Sequence, residues 1–201
     1  MSIAISLAVG VLSSLVATAV VLLRQRARLR LRMNPVLHLI EQLARRIVAD
    51  NYIFDYVVTI DRNSAVAGTI LAGNFGLRSA ISVTTQNTRR PDGSRDISLD
   101  EVSAHVLTAL GGKRLLVFIC CNDSGTSLNF VVESLKQLSD PPAEIRTAAL
   151  YSSQSPAIMP RYRVVVVGRD TRQSMNDILE RLPWVTKQWL HPLAQERHQK
   201  P

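Results

Sequence analysis

The fold is constrained most by a strand, a tight turn and a helix that follow one another between residues 114 and 138. The run RLLVFICC at 114–121 is apolar after its first residue. The polar turn NDSGTS follows at 122–127, and the segment from 128 to 138 has apolar residues at helical spacing. A short, continuously apolar strand is typical of a parallel sheet buried on both faces. This segment therefore predicts a strand–turn–helix unit of an α/β fold.

The rest of the chain repeats this alternation. Strand-like runs lie at 56–60, 80–84, 115–121, 146–151 and 163–168, and helical patterns at 36–49, 65–75, 101–110 and 128–138. The order predicts a mainly parallel sheet with helices on both faces. The polar segment 86–100, with Pro-Asp-Gly near its centre, predicts a loop or hairpin tip. Ligands of such sheets bind at the carboxyl ends of the strands, so the turns at 61–64 and 122–127 should share one edge.

A long apolar segment precedes this domain. Residues 3–23 carry no charge, and five arginines follow within nine residues: Arg24, Arg26, Arg28, Arg30 and Arg32. Twenty-one helical residues span roughly 30 Å, the thickness of a bilayer core. The pattern predicts a single transmembrane helix, in preference to a cleaved signal peptide or a buried helix. The positive-inside rule then places the N-terminus outside and the C-terminal domain in the cytoplasm of a cell or inner membrane.

The arginine cluster also explains most of the charge. The net charge is +8, and the chain without these five arginines carries only about +3. The cluster serves either membrane topology alone or contact with anionic lipid headgroups. No basic groove with interleaved aromatic residues is present, so no nucleic-acid partner is expected.

Four segments are predicted from these patterns. They are an anchor at 1–23, an arginine-rich and amphipathic helical linker at 24–49, the α/β domain at 50–190 and a flexible tail at 191–201. The two cysteines, Cys120 and Cys121, are adjacent in a strand and point to opposite faces, so a disulfide between them is not expected. The sequence has no CxxC pair or histidine cluster, and no metal site is predicted from spacing.

The turn at 123–127 has the composition of an anion-binding loop. A glycine lets the backbone curl close to an anion, three hydroxyl side chains add donors, and the amides of the following helix point outward. These features predict a cup for a monophosphate, formed by Asp123, Ser124, Gly125, Thr126 and Ser127. The alternative is an ordinary strand–helix turn with Ser/Thr capping, or with Asp123 as the N-cap.

The order of the parts from residue 50 to 184 resembles the type I phosphoribosyltransferases, most closely their hypoxanthine and xanthine–guanine branch. In that family a strand ends in two acidic residues, two apolar ones and Asp-Thr-Gly-x-Thr; here ICCNDSGTS stands at 119–127. The family's Ser-Arg-Gly-Gly turn corresponds to Asp61, Arg62, Asn63 and Ser64. A Pro-Trp pair after the last strand corresponds to Pro183 and Trp184.

The resemblance implies a site for phosphoribosyl pyrophosphate (PRPP) and, in an active enzyme, Mg²⁺. The family's acidic pair binds the ribose hydroxyls and lies near magnesium, but Ile119 and Cys120 stand at those positions. Asn63 and Ser64 replace the two glycines of the pyrophosphate turn. Asp123 matches the aspartate that acts as general acid or base near the purine, and Trp184 matches an aromatic residue that stacks on the base or packs in the core.

Three functions remain open at this stage. The first is a membrane-anchored protein that binds a nucleotide or phosphoribosyl group, with impaired or absent catalysis, and acts as a sensor, regulator or effector. The second is an active purine-type phosphoribosyltransferase whose carboxylates come from elsewhere. The third is a ligand-free scaffold at the membrane. Expected partners are a phosphorylated small molecule, the lipid bilayer and a second copy in a homodimer; no cofactor is expected other than Mg²⁺ in an active enzyme.

Overall fold

The computed structural model describes residues 33–89, 95–168, 178–179 and 182–185. Its helices and strands, in chain order, are α1 (33–49), β1 (Tyr56–Ile60), α2 (Arg62–Asn74), β2 (Ile81–Val83), β3 (Thr85–Arg89), β4 (Arg95–Leu99), α3 (Glu101–Thr108), β5 (Arg114–Asn122), α4 (Thr126–Lys136), β6 (Glu144–Ser153) and β7 (Tyr162–Val167).

The main sheet has five strands in the order β2-β1-β5-β6-β7, and every neighbouring pair is parallel. Strands β3 and β4 form a separate antiparallel hairpin. The predicted α/β class with a parallel sheet flanked by helices is confirmed, and so is the hairpin within the polar segment.

Side chains of the central strand alternate between two cores. Leu116, Phe118 and Cys120 pack with residues of α1 and α2. Leu115, Val117 and Ile119 pack on the other face with residues of α3 and α4. Successive side chains of a strand point to opposite faces, so a continuously apolar strand fills both layers at once.

Helix α1 belongs to the first of these cores. Val36, Ile40, Leu43 and Ile47 follow one another at intervals of three or four residues, and all four are buried. This spacing puts them on one face of a helix. The prediction that an amphipathic helix at 36–49 packs on the domain is confirmed, and these residues contribute to the core of the α/β unit.

The turn predicted at 61–64 is shorter in the structure. Helix α2 begins at Arg62, so Asn63 and Ser64 are helical rather than part of a turn, and that prediction was wrong. A single residue makes the reversal: Asp61 has φ 65° and ψ 158°. Positive φ is uncommon for a residue other than glycine, and with ψ near 158° it lies outside the left-handed helical region that Asp tolerates. One such residue is enough to turn the chain from strand into helix.

The predicted anchor at 1–23, the arginines from Arg24 to Arg32 and the tail at 191–201 lie outside the described residues. Among the helices that are described, none is both long and apolar enough to span a membrane.

Candidate functional site

The two predicted loops meet at the carboxyl edge of the sheet. Strands β1 and β5 are parallel neighbours, so α2 and α4 both begin at this edge. Thr85, the first residue of the hairpin, lies between them: its amide and hydroxyl donate to Asp61 Oδ1 at 3.2 and 3.0 Å, and its Oγ1 is 3.5 Å from Ser127 Oγ. The prediction that both turns share one edge is confirmed.

The turn before α4 places a residue without a side chain at the N-cap position. Gly125 is the N-cap residue, with φ 77° and ψ 2°, and no acidic residue lies in the first turn of α4. Ser124 Oγ and Thr126 Oγ1 are 2.7 Å apart, and both side chains are exposed. The alternative with Asp123 as the N-cap was wrong because the N-cap residue is a glycine. Capping by a hydroxyl is met in part, since Ser124 Oγ accepts from the amide of Thr126 at 3.4 Å. The partial positive charge of this terminus can still attract an anion.

The end of β6 and the segment after it support the backbone of this turn. Ser153 Oγ donates to the carbonyl of Asp123, and the amide of Ala157 donates to the carbonyl of Ser124 at 2.7 Å. A Cβ at Gly125 would lie 2.9 Å from the backbone nitrogens of Ala157 and Ile158. Glycine is thus required at 125 by its left-handed conformation and by the neighbouring backbone.

Asn122 was not singled out from the sequence as a site residue. It is the last residue of β5 and is 1% exposed. Its Nδ2 donates to the carbonyl of Ile158 at 3.2 Å and lies 3.5 Å from Ser152 Oγ, but its Oδ1 has no hydrogen-bond partner among the described residues. A buried acceptor without a partner is unfavourable by about 1–3 kcal/mol. The only sequence signal was an amide at the end of an apolar strand.

The positions of the family's acidic pair lie inside the two cores. Ile119 is 8% exposed on one face of β5, and Cys120 is fully buried on the other. Burial raises the pKa of the Cys120 thiol far above its ordinary value, and burial together with the charge of Asp123 raises the pKa of Cys121 to about 12. Both thiols are protonated at neutral pH, so neither serves as a nucleophile.

The counterpart of the pyrophosphate turn is only partly accessible. Arg62 is exposed, and its guanidinium forms no ion pair within the described part of the chain. Ser64 is 2% exposed, and its Oγ accepts from the amide of Cys120 at 2.9 Å. Asp61 is bound to Thr85 as described above. Of the four predicted residues, Arg62 is the one that offers a fully exposed side chain.

Trp184 lies beside this turn. Its indole N–H donates to the carbonyl of Asn63 at 3.0 Å, and its ring packs partly buried against the core on the α1/α2 side. The hydrogen bond ties the segment after β7 to the start of α2. Stacking of Trp184 on a base stays a prediction.

The carboxylate of Asp123 is half-buried and has neither a hydrogen bond nor an ion pair with any described residue. It lies next to the exposed hydroxyls of the cup and is available to a ligand. Its role as general acid or base stays a prediction.

The residues at this edge do not fit the magnesium site that the resemblance implies, which is built on an acidic pair. Mg²⁺ takes oxygen ligands, usually one or two carboxylates with substrate phosphates. Ile119 and Cys120 supply none, and Asp61 is engaged with Thr85, which leaves Asp123 as a single carboxylate without the pair. No group of three His, Cys, Asp or Glu side chains within the described ranges could hold a metal ion.

Solved structures share this architecture. The purine phosphoribosyltransferase of Pyrococcus horikoshii matches with a TM-score of 0.53 and 21% identity over 66% of this chain and 87% of that one. A hypothetical protein from Neisseria gonorrhoeae with bound ppGpp matches with a TM-score of 0.59 and 18% identity over 75% and 92%. The chain has a phosphoribosyltransferase-like fold. No protein-family model and no curated protein sequence matches it.

Proposed function

We propose that this chain binds a phosphorylated ligand, a nucleotide or phosphoribosyl group, at the carboxyl edge of its sheet, and that its catalysis is impaired or absent. It would act as a sensor, regulator or effector. The ppGpp bound to the Neisseria protein makes phosphorylated purine nucleotides the first ligands to test.

The observation that carries this proposal is the pair of helix termini at one edge. The N-cap residues of α2 and α4, Asp61 and Gly125, make no side-chain capping hydrogen bond, and neither first turn contains an acidic residue. Arg62 opens α2, and exposed hydroxyls of Ser124 and Thr126 flank the start of α4. Two helix N-termini, a guanidinium and hydroxyl donors form a suitable environment for phosphate groups.

Impaired catalysis follows from the residues that replace the acidic pair. A charge-assisted hydrogen bond contributes about 1.5–3 kcal/mol, and about 1.4 kcal/mol corresponds to a factor of ten in rate. The loss of two such contacts would lower kcat/KM by roughly two to four orders of magnitude. Binding of a phosphate group in the cup does not depend on those carboxylates.

An active transferase is the second candidate, and one observation favours it. The carboxylate of Asp123 has no protein partner within the described residues, so it could receive or donate a proton at a bound base. It would have to act without the carboxylates that normally hold the ribose and the magnesium ion.

We also propose that residues 1–23 anchor the chain in a membrane, with the arginines at 24–32 on the cytoplasmic side. The charge-free segment and the basic flank support this topology. Any ligand would then be bound close to the inner surface of that membrane.

A substitution at the start of α4 tests the site. Thr126→Glu places a negative charge at the cup, and we expect it to weaken binding of a purine nucleoside monophosphate by about tenfold or more. An acidic residue in the first turn of a helix favours the helix, so the variant should remain folded. Gly125→Asp should abolish binding too, but it also displaces the backbone of residues 157–158.

The matched control is Gln137→Glu, which adds the same charge at the opposite end of α4, about 16 Å away. Calorimetric titration of the full-length variants measures the effect. Equal affinity of Thr126→Glu and Gln137→Glu would show that the cup is not the binding site.

A further inference from the structure

A cleft lies away from the carboxyl edge. Its volume is about 430 Å³, and it opens between the end of α1 and the start of β7; its walls are formed by Arg46, Ala49, Asp50, Arg161, Tyr162 and Arg163. Tyr162 pairs with Ala148 in the neighbouring strand β6, and Ala148 lies five positions before Ser153, the carboxyl end of β6. At about 3.3 Å per residue the cleft is therefore on the order of 17 Å from the proposed phosphate cup.

The positive charges around this cleft exceed the negative ones. Arg146 lies beside it, 2.5 Å from Asp50 Oδ2 and 2.7 Å from Glu144 Oε1. Asp50 also accepts from the hydroxyl of Tyr162 at 2.7 Å, and Arg161 is 3.4 Å away. Both nearby carboxylates are thus occupied by Arg146 and Arg161.

Two arginines of the cleft have no carboxylate partner among the described residues. Arg46 Nη1 donates to the carbonyl of Arg163, and Arg163 Nη1 contacts the thioether of Met159. A guanidinium carries five N–H donors, so most donors of both side chains remain available. Arg46 comes from α1 and Arg163 from β7, and both line the cleft.

We propose that this cleft binds a small phosphate-bearing anion, at a site separate from the cup. Guanidinium groups match the oxygen geometry of a phosphate and form charge-assisted hydrogen bonds with it. The volume of about 430 Å³ is sufficient for a compact di- or polyphosphate group. An anion here would connect α1, the helix that follows the predicted anchor, with the edge strand β7.

The test is titration of the full-length protein with inorganic pyrophosphate. Arg46→Gln/Arg163→Gln removes the two charges without reversing them, and Arg78→Gln, at an exposed position before β2, is the control. We expect the double variant to bind pyrophosphate about a hundredfold more weakly at the cleft, and the control to bind as the natural chain does. Adding salt should weaken the natural chain's binding.

The cup and the cleft are distinguished by combining variants. Thr126→Glu should weaken binding at the cup and leave binding at the cleft intact, so one class of pyrophosphate site should remain in that variant. This remaining site should disappear when Arg46→Gln/Arg163→Gln is added. Unchanged pyrophosphate binding in the folded double variant would overturn the proposal. So would a loss seen only with vesicles containing phosphatidylglycerol, and not with pyrophosphate or phosphatidylcholine vesicles, because that would assign these arginines to a lipid surface.

Discussion

Ile119 and Cys120 occupy the positions at which the resemblance to phosphoribosyltransferases calls for carboxylates. Their side chains lie in opposite cores of the sheet, and neither contacts solvent appreciably. The neighbouring Ser64 hydroxyl is bound to the amide of Cys120, which fixes α2 against β5. Both side chains therefore contribute to the packing of the cores.

An acid introduced at position 120 should destabilise the protein rather than provide a carboxylate for PRPP. A carboxylate at this fully buried position has no cationic partner among the described residues, so we expect Cys120→Asp to lower the free energy of unfolding by about 3 kcal/mol or more. Burial would raise the pKa of the new carboxyl group above its unfolded value, and the deficit should shrink as pH falls below that raised pKa.

Denaturant unfolding of Cys120→Asp, with Cys120→Ala as the uncharged control, measures this effect. A Cys120→Asp protein that is as stable as its control and binds PRPP with Mg²⁺ would contradict the placement of this residue.

Some site residues could be predicted from the sequence and others could not. The glycine and hydroxyls of the 123–127 turn are local, and the turn lies where it was expected. The links from Thr85 to Asp61 and from Ser153 to Asp123 join residues 24 and 30 positions apart. Such contacts depend on how strands assemble, and no periodicity in the sequence indicates them.

Helix α2 approaches the sheet closely at Gly68. A Cβ at Gly68 would lie 2.0 Å from Thr59 Cγ2 and 3.2 Å from Phe118 Cδ1. Thr59 is held in place by a hydrogen bond from its hydroxyl to the carbonyl of Ile81. The absence of a side chain at 68 therefore allows α2 to lie close to β1. The same contact determines where Arg62, at the N-terminus of α2, is placed.

Two glycines in this helix give a matched pair of substitutions. We expect Gly68→Ala to lower the free energy of unfolding by about 1–3 kcal/mol, because the added methyl group forces the helix from the sheet. Gly73→Ala should raise it by about 0.5–1 kcal/mol, since nothing lies within 4 Å of a Cβ there and alanine favours the helix. Urea unfolding of both variants checks the pair, and a stabilised Gly68→Ala would contradict the packing.

Most helices and strands could be predicted because their patterns are strong. The apolar run of β5 and the helical spacing of α1 and α4 each specify one conformation. The start of α2 was missed because a single Asp with positive φ replaces a longer turn, and this conformation is rare enough that sequence patterns do not predict it. The strands of the hairpin are polar, so only its turn was visible in the sequence.

At the scale of the whole molecule, the two ends of the sheet have different chemistry. At the carboxyl edge, the N-termini of α2 and α4 lie beside exposed hydroxyls. An arginine-lined cleft lies between the end of α1 and the start of β7. The proposed membrane anchor would lead into α1, one wall of that cleft. The function proposed above uses only the carboxyl edge, so it can be tested without resolving the role of the cleft.

The central claim is that the cup at 123–127 binds a phosphate group although the chain lacks the carboxylates that would hold PRPP and Mg²⁺. Calorimetric titration of the full-length protein with purine nucleoside monophosphates and with PRPP, each with and without Mg²⁺, tests it most directly. The account predicts monophosphate binding that does not depend on Mg²⁺ and that is lost in Thr126→Glu. Magnesium-dependent binding of PRPP with turnover to a nucleotide would contradict it, and so would the absence of binding by every ligand.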